Sequence, residues 1–87
     1  MFRSLMSSLS HLHLLGLVGP GEEVSLVREP SNIHDRNAIR VLNISGEQVG
    51  HIQRNISSRL APLMDRNMIT VEGTASYNYI DLDARYN

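Results

Sequence analysis

Short alternating stretches of apolar and polar residues dominate the middle of the chain. Val24 and Leu26 flank Ser25, and Ile39 and Val41 share one face of a second stretch. This period of two is typical of β-strands that turn one face to a core. The pattern predicts strands over residues 23–28, 38–44, 48–52, 68–74 and 77–82.

Glycine and proline mark the turns between these stretches. Gly19-Pro20-Gly21 predicts a turn before the strand over 23–28. Ser45-Gly46 predicts the hairpin turn after residue 44. Gly50 lies inside the returning strand, where a glycine indicates a β-bulge or the close approach of another part of the chain.

One segment carries helical periodicity instead. Ile56, Leu60 and Leu63 follow one another at spacings of four and three, which gives a single apolar stripe. Asn55 is the predicted N-cap of this helix. Pro62 lacks the backbone N–H that a helix interior needs, so we expect the helix to break just before it and a second short turn to start there.

The N-terminal residues 1–18 differ from the rest, with one Arg, no acid and a Leu-rich run. Leu12, Leu14 and Leu17 are predicted to form part of the first strand, with the residues before them disordered. The run is too short to span a bilayer. The Ser-bearing, acid-free composition fits a mitochondrial transit segment slightly better than a secretory signal.

Composition indicates one small domain. Eighty-seven residues allow a single core, and the chain has no cysteine, so disulfides and thiolate metal sites are excluded. The net charge is −1, and all eight basic residues are Arg, six of them between residues 28 and 66. Arg suits phosphate, but by composition alone an ordinary solvated surface is the better interpretation.

The loop before the second strand concentrates polar chemistry. Pro30 ends the preceding strand, and Ser31, Asn32 and Asp35 are loop formers that bond their own backbone. A ligand reaching this loop would meet an amide, an imidazole, a carboxylate and a guanidinium within a few residues. Loops held between strands are frequent binding sites.

Enzymatic and metal chemistry have little support in the sequence. No P-loop, no Gly-x-Ser-x-Gly and no paired-carboxylate motif is present. His11 and His13, or His34 beside Asp35, do not match a metal-ligand spacing. We therefore expect no catalytic residue, no cofactor and no metal.

Two strings carry a family resemblance. Residues 28–41 read R-E-P-x-N-x-x-D-x-N-A-I-x-V, residues 48–52 read Q-V-G-H-I, and L-A-P-L-M-D follows at 60–65. Together they resemble the HIRAN domain, over about residues 19–73. The resemblance implies a mainly β, OB-like barrel with one or two short helices, over residues 19–87, with a divergent segment at 1–18 and a C-terminal end cut short.

The HIRAN domain is the DNA-end-binding module of SNF2-type ATPases of the helicase-like transcription factor kind, whose ATP hydrolysis belongs to other domains. The resemblance therefore implies a nuclear, monomeric, non-enzymatic module that binds the 3′-hydroxyl end of single-stranded DNA and no membrane. The positions that would line the pocket for the last nucleotides are Asn32, His34, Asp35, His51 and Arg54.

Each of these residues has a plain structural alternative. Asn32 and Asp35 can cap the loop, His51 can be a satisfied core histidine, and Arg54 can be a solvated charge at a helix entry. His34 stands where many HIRAN relatives carry an aromatic residue, and its imidazole can stack on a base.

The first-strand aromatics that stack bases in the family are replaced here by Leu12-His13-Leu14. His13, Tyr77 and Tyr79 are weaker candidates for that role. The rival hypothesis is a truncated remnant that keeps the barrel as a structural or protein-interaction domain and binds little DNA.

Overall fold

The structure, a computed structural model, describes residues 2–6 and 9–87. It contains six strands and two helices. In chain order these are β1 (Phe2–Leu5), α1 (Leu9–Leu14), β2 (Glu23–Arg28), β3 (Ile39–Leu42), β4 (Gln48–His51), α2 (Arg54–Asp65), β5 (Ile69–Ala75) and β6 (Tyr79–Tyr86).

The six strands form one antiparallel sheet in the order β1-β6-β5-β2-β3-β4. The sheet curls into a half-barrel around the core, and the two helices complete the fold. The predicted class, a small mainly β barrel with short helices, is confirmed. Neither described helix is long and apolar enough to cross a membrane.

The two ends of the sheet, β1 and β4, meet at a seam that is held by side chains. The Gln53 backbone N–H donates to Ser4 Oγ at 2.9 Å, and the Leu5 N–H donates to Gln53 Oε1 at 3.2 Å. Met6 packs against Gly50, where a β-carbon would overlap the Met6 methyl group. Gly50 is therefore a point of close approach, as predicted, and the β3–β4 register shifts beside it.

The core lies inside the curl. Ile39 and Val41 project into it from β3, and Ile80 and Leu82 from β6, all of them fully buried. Val49, Ile52 and Leu60 are also buried, and Leu63 is half-buried at the edge of the core.

Helix α2 runs unbroken from Arg54 to Asp65, so the predicted break before Pro62 is wrong. Leu60 and Ala61 are buried against the sheet, and this packing outweighs the one hydrogen bond that proline cannot make.

The predicted N-cap is also wrong. Gln53 occupies that position, and its carbonyl accepts from the Ser57 N–H at 2.9 Å. No side chain caps the helix start, because the Gln53 amide is turned to β1 instead.

The N-terminal segment also differs from its prediction. Leu12-His13-Leu14 lies in α1, and the first strand is Phe2–Leu5, which pairs with β6 from Phe2↔Leu82 to Leu5↔Tyr79. Leu12 and Leu17 pack against the core from outside the sheet. Residues 2–5 are therefore ordered in the barrel, which gives the transit-segment expectation no support. The domain boundary between residues 18 and 19 stays a prediction.

Candidate nucleic-acid interface

The loop between β2 and β3 and the start of α2 enclose an open groove of about 950 Å³, here called the main groove. It is lined by Arg28, Pro30, Ser31, Asn32, Ile33, His34, Asp35, Arg36, Asn37, Arg54, Ser58 and Asp65. A smaller side pocket of about 420 Å³ adjoins it, lined by Arg28, Glu29, Pro30, Ser31, Asn32 and Arg40. Four of the five predicted site residues therefore lie on the main groove.

Side-chain caps fix the shape of the loop. Asn32 Oδ1 accepts from the backbone N–H groups of His34 at 2.8 Å and Asp35 at 3.0 Å. Asp35 Oδ1 accepts from the Asn37 N–H at 2.9 Å. Both lone pairs of Asn32 Oδ1 are used in this way, and Asn32 Nδ2 donates to Glu29 Oε1 at 3.3 Å, so Asn32 can offer a ligand only its second side-chain N–H.

Asp35 keeps one carboxylate oxygen for the groove. Its Oδ2 lies 3.5 Å from Arg54 Nε, and the Arg54 guanidinium also donates to the His34 carbonyl at 3.2 Å. Arg54 is the first residue of α2, and its side chain is 73% exposed. A hydrogen-bond acceptor and a strong donor thus stand side by side on the groove wall.

His51 lies apart from the main groove. It ends β4, opposite Arg40 on β3, and its Nε2 is 2.6 Å from Glu29 Oε1 at the rim of the side pocket. The His51 ring is exposed, so the alternative of a satisfied core histidine is wrong. The hydrogen bond from His51 holds the pKa of Glu29 below its ordinary value.

The weaker candidates also lie outside both pockets. His13 places its ring nitrogens 2.5 Å from the Val18 carbonyl oxygen and 2.6 Å from that of Ser76, and it meets the Tyr77 ring edge-on at 6.0 Å. The Arg3 guanidinium stacks 4.8 Å from the Tyr79 ring centre. These rings form local contacts with α1 and β1, and the assignment of all eight candidates to DNA stays a prediction.

Arg28 forms the floor of the main groove, and sequence reasoning missed it. Its Nε and Nη2 bind the two Asp65 oxygens at 2.9 and 3.0 Å, and its guanidinium also donates to the carbonyls of Ala38 at 2.5 Å and Arg36 at 2.7 Å. The side chain is 12% exposed. The sequence signal that could have identified Arg28 as a groove residue is its position at the end of the predicted strand, where it begins the R-E-P string.

The charges of the main groove nearly cancel. Its three guanidinium groups are Arg28, Arg36 and Arg54, and its two carboxylates are Asp35 and Asp65. Hydrogen bonding to Arg28 lowers the pKa of Asp65, which keeps this carboxylate ionised. The main groove therefore carries individual hydrogen-bond donors and acceptors and little net positive charge.

Among the described residues, no three His, Asp or Glu side chains lie close enough together to hold a metal ion. The main groove thus presents the exposed guanidinium of Arg54, the carboxylate of Asp35, which is fixed by its bond to the Asn37 N–H, and the exposed loop tip at His34.

The sequence profile of the HIRAN domain matches residues 2–85. The chain belongs to the HIRAN domain family. Its fold agrees, since the crystal structure of the HIRAN domain of human HLTF superposes with a TM-score of 0.76 at 31% identity, over 98% of this chain and 73% of that one.

Two further relatives place this HIRAN domain in context. The HLTF HIRAN domain in its DNA-bound conformation gives a TM-score of 0.72 at 30% identity, covering 95% of this chain and 72% of that one. A putative SWI/SNF-related matrix-associated actin-dependent regulator of chromatin, subfamily A member 3-like 1, from Arabidopsis thaliana is 55% identical over 58 residues. That match covers 67% of this chain and 7% of the relative, so the chain spans a small part of its length.

Proposed function

We propose that this HIRAN domain binds the 3′-hydroxyl end of single-stranded DNA in the main groove. The observation that carries the proposal is Asp35 Oδ2, which faces the groove in an ion pair with Arg54 Nε at 3.5 Å. The DNA-bound conformation of the related HLTF domain supports DNA as the ligand.

The chemistry of the pair fits a strand end. A carboxylate accepts a hydrogen bond from a terminal hydroxyl, and it repels a terminal phosphate. Arg54 can bind the phosphate that precedes the last nucleotide, because a guanidinium matches phosphate oxygens in shape and charge. A continuing strand has no hydroxyl to donate at that point.

The remaining candidates take secondary roles. His34 is exposed at the loop tip and can stack on a base, and the Asn32 amide N–H can donate to one. His51 Nε2 is held by Glu29, which leaves only the second ring nitrogen for a phosphate, so we expect His51 to contribute less than Arg54.

In this proposal the domain binds and does not catalyse. It works in the nucleus, consistent with the chromatin-regulator name of its plant relative, as a monomeric module within a larger SNF2-type ATPase. Neither a cofactor nor a membrane takes part in the proposed binding.

The rival function is a structural or protein-interaction remnant. One observation favours it. Leu12-His13-Leu14 lies in α1, outside the first strand, and this segment contains no Phe, Tyr or Trp that could stack on a base. A titration with single-stranded DNA separates the two proposed functions.

The test compares short single strands that end in a 3′-hydroxyl or a 3′-phosphate, by fluorescence anisotropy. We expect the wild type to prefer the hydroxyl end by about 10- to 100-fold, the range of a hydrogen bond to a charged group. Asp35→Asn should lose most of this preference. The control is Asp83→Asn, on the exposed face of β6, which should keep it.

Equal affinity of the wild type for both ends would contradict end recognition and leave general DNA binding. Absence of binding to either strand would favour the rival function.

A further inference from the structure

Glu29 is an acidic residue beside the proposed DNA contacts, a place where a carboxylate repels phosphate. It directly follows β2, and its side chain is 25% exposed at the rim of the side pocket. Its Oε1 lies 2.6 Å from His51 Nε2 and also accepts from Asn32 Nδ2 at 3.3 Å. One carboxylate oxygen thus joins a residue of the β2–β3 loop to the residue that ends β4.

The main chain holds Glu29 in this place. Its N–H donates to the Ala38 carbonyl, and its own carbonyl accepts from the Asn32 N–H, both at 3.0 Å. The hydrogen bond from His51 is the main reason why the pKa of Glu29 lies below its ordinary value of 4.5. The carboxylate therefore stays ionised through the neutral pH range.

The contact with Glu29 decides which nitrogen of His51 carries a proton. A carboxylate only accepts, so the hydrogen lies on Nε2, and Nδ1 of the neutral ring is left with a lone pair. A lone pair repels a phosphate oxygen, which is also an acceptor. His51 therefore donates to a phosphate only when Nδ1 gains a second proton, and the ring is then an imidazolium beside a carboxylate.

We infer that Glu29 is a positioning residue for His51, which orients the ring and stabilises the imidazolium that donates Nδ1–H to a backbone phosphate. The inference rests on the proposed function, in which His51 contacts a phosphate of the strand. The His51 side chain is 41% exposed, which leaves room for this contact. Binding then takes up protons, so the affinity for DNA rises as the pH falls through the ordinary titration range of histidine, about 6.5.

The charges around His51 act in opposite directions. Arg40 lies opposite His51 on β3, and its guanidinium opposes a second positive charge. Arg54 starts α2 three residues later, but its guanidinium is paired with Asp35. Within the part of the chain that the structure describes, Glu29 supplies the carboxylate in hydrogen-bond contact with the ring, which offsets these cations.

The experiment measures the affinity for a single strand with a 3′-hydroxyl end by anisotropy, at about pH 6 and about pH 8 and at constant ionic strength. Glu29→Gln keeps an Oε1 that accepts from both donors and removes only the charge. We expect wild type to bind about five- to tenfold more tightly at the lower pH, the range of a hydrogen bond to a charged group. Glu29→Gln should lose most of this gain.

A carboxylate that only repels the strand predicts the opposite sign. Its removal would strengthen binding at both pH values. A positioning role predicts that Glu29→Gln binds more weakly than wild type at the lower pH and at least as tightly at the higher pH, where the ring is neutral. Glu72→Gln is the matched control, since Glu72 pairs with Arg85 away from the groove, and it should follow wild type.

Two histidine variants assign the pH response. His51→Gln should bind equally at both pH values, whereas His34→Gln should keep the response, although His34 is exposed and lines the main groove. Calorimetry in two buffers of different ionisation enthalpy counts the protons taken up on binding. Wild type should take up a fraction of a proton at about pH 7, and both His51→Gln and Glu29→Gln should take up less.

Tighter binding of Glu29→Gln at both pH values, or a full pH response in that variant, would overturn the inference and leave the proposed function intact. If Glu29→Gln has a lowered melting temperature, His51→Gln decides, and a pH response retained there would overturn the inference. The preference of wild type for a 3′-hydroxyl over a 3′-phosphate end reports on the proposed function separately. If wild type binds no strand, the proposed function fails first and the inference with it.

Discussion

At the scale of single residues, the Arg28–Asp65 pair ties the floor of the main groove to the end of α2. Two parallel hydrogen bonds join the guanidinium to the carboxylate, and two more join it to the loop backbone. A bidentate pair of this kind fixes both distance and orientation. The loop that presents Asp35 is therefore supported from below as well as by its own caps.

This pair predicts how stability responds to acid. Arg28 holds the pKa of Asp65 below its ordinary value of 3.8. A carboxylate with a lowered folded-state pKa stabilises the fold above its ordinary value, and the contribution is lost as the pH falls below it. We expect Asp65→Asn to be less stable than wild type near pH 6, and the difference to shrink toward pH 2, as measured by urea unfolding at roughly these pH values.

The reason for the shrinking difference is that a protonated Asp65 resembles the amide of the variant. Asp83→Asn, on the exposed face of β6, should differ little from wild type throughout. A difference between Asp65→Asn and wild type that stayed constant with pH would show that the ion pair does not set the acid response.

Local sequence predicted the loop better than it predicted the loop's supports. The capping alternatives at Asn32 and Asp35 follow from residue type alone, and both caps are present. Arg28 was missed because its partner lies 37 residues away, and sequence gives no distance between them. His51 was placed in the pocket by resemblance, whereas its side chain turns to Glu29.

At the scale of elements, strands with alternating patterns were predicted well, and β2 has the bounds predicted from the sequence. Strand β1 was not predicted from the sequence, because its buried position is polar and its apolar residues are exposed. Ser4 is the buried residue of β1, while Arg3 and Leu5 face outward. A polar residue turned inward gives no apolar signal, and its hydroxyl has a partner in Gln53.

Helix α2 predicts a stabilising substitution. Pro62 lies inside the helix, where it cannot donate to the Ser58 carbonyl. We expect Pro62→Ala to raise the free energy of unfolding by about 1–2 kcal/mol, the helix gain reduced by the greater freedom of the unfolded chain. Urea unfolding measures it.

Pro20→Ala is the matched control, since Pro20 lies in the exposed turn before β2. It should leave stability unchanged or lower it slightly. If Pro62→Ala instead lowers stability, the packing of the proline ring contributes more to the fold than the missing hydrogen bond costs.

At the scale of the whole molecule, charge sets the expected salt response. The chain carries −1 overall, and the main groove has three guanidinium groups against two carboxylates. We expect the logarithm of the DNA association constant to fall with the logarithm of salt with a slope of about −1, corresponding to one or two phosphates on a single strand. A titration across several salt concentrations gives the slope.

Arg54→Gln should flatten this slope, while Arg85→Gln should not, because Arg85 pairs with Glu72 and neither residue lines the main groove. A slope several times steeper would indicate a larger basic surface than the main groove provides.

The seam gives the barrel a mechanical property. β1 is paired along one edge only, with β6, and its other edge is held by hydrogen bonds to Gln53 and by the packing of Met6 on Gly50. The carbonyl of Gln53 starts α2, and the next residue, Arg54, reaches Asp35. Tension applied to the chain at Phe2 therefore acts on the β1–β6 pairing and, by way of Gln53, on the start of α2, so the N-terminal strand and the wall of the main groove are mechanically coupled.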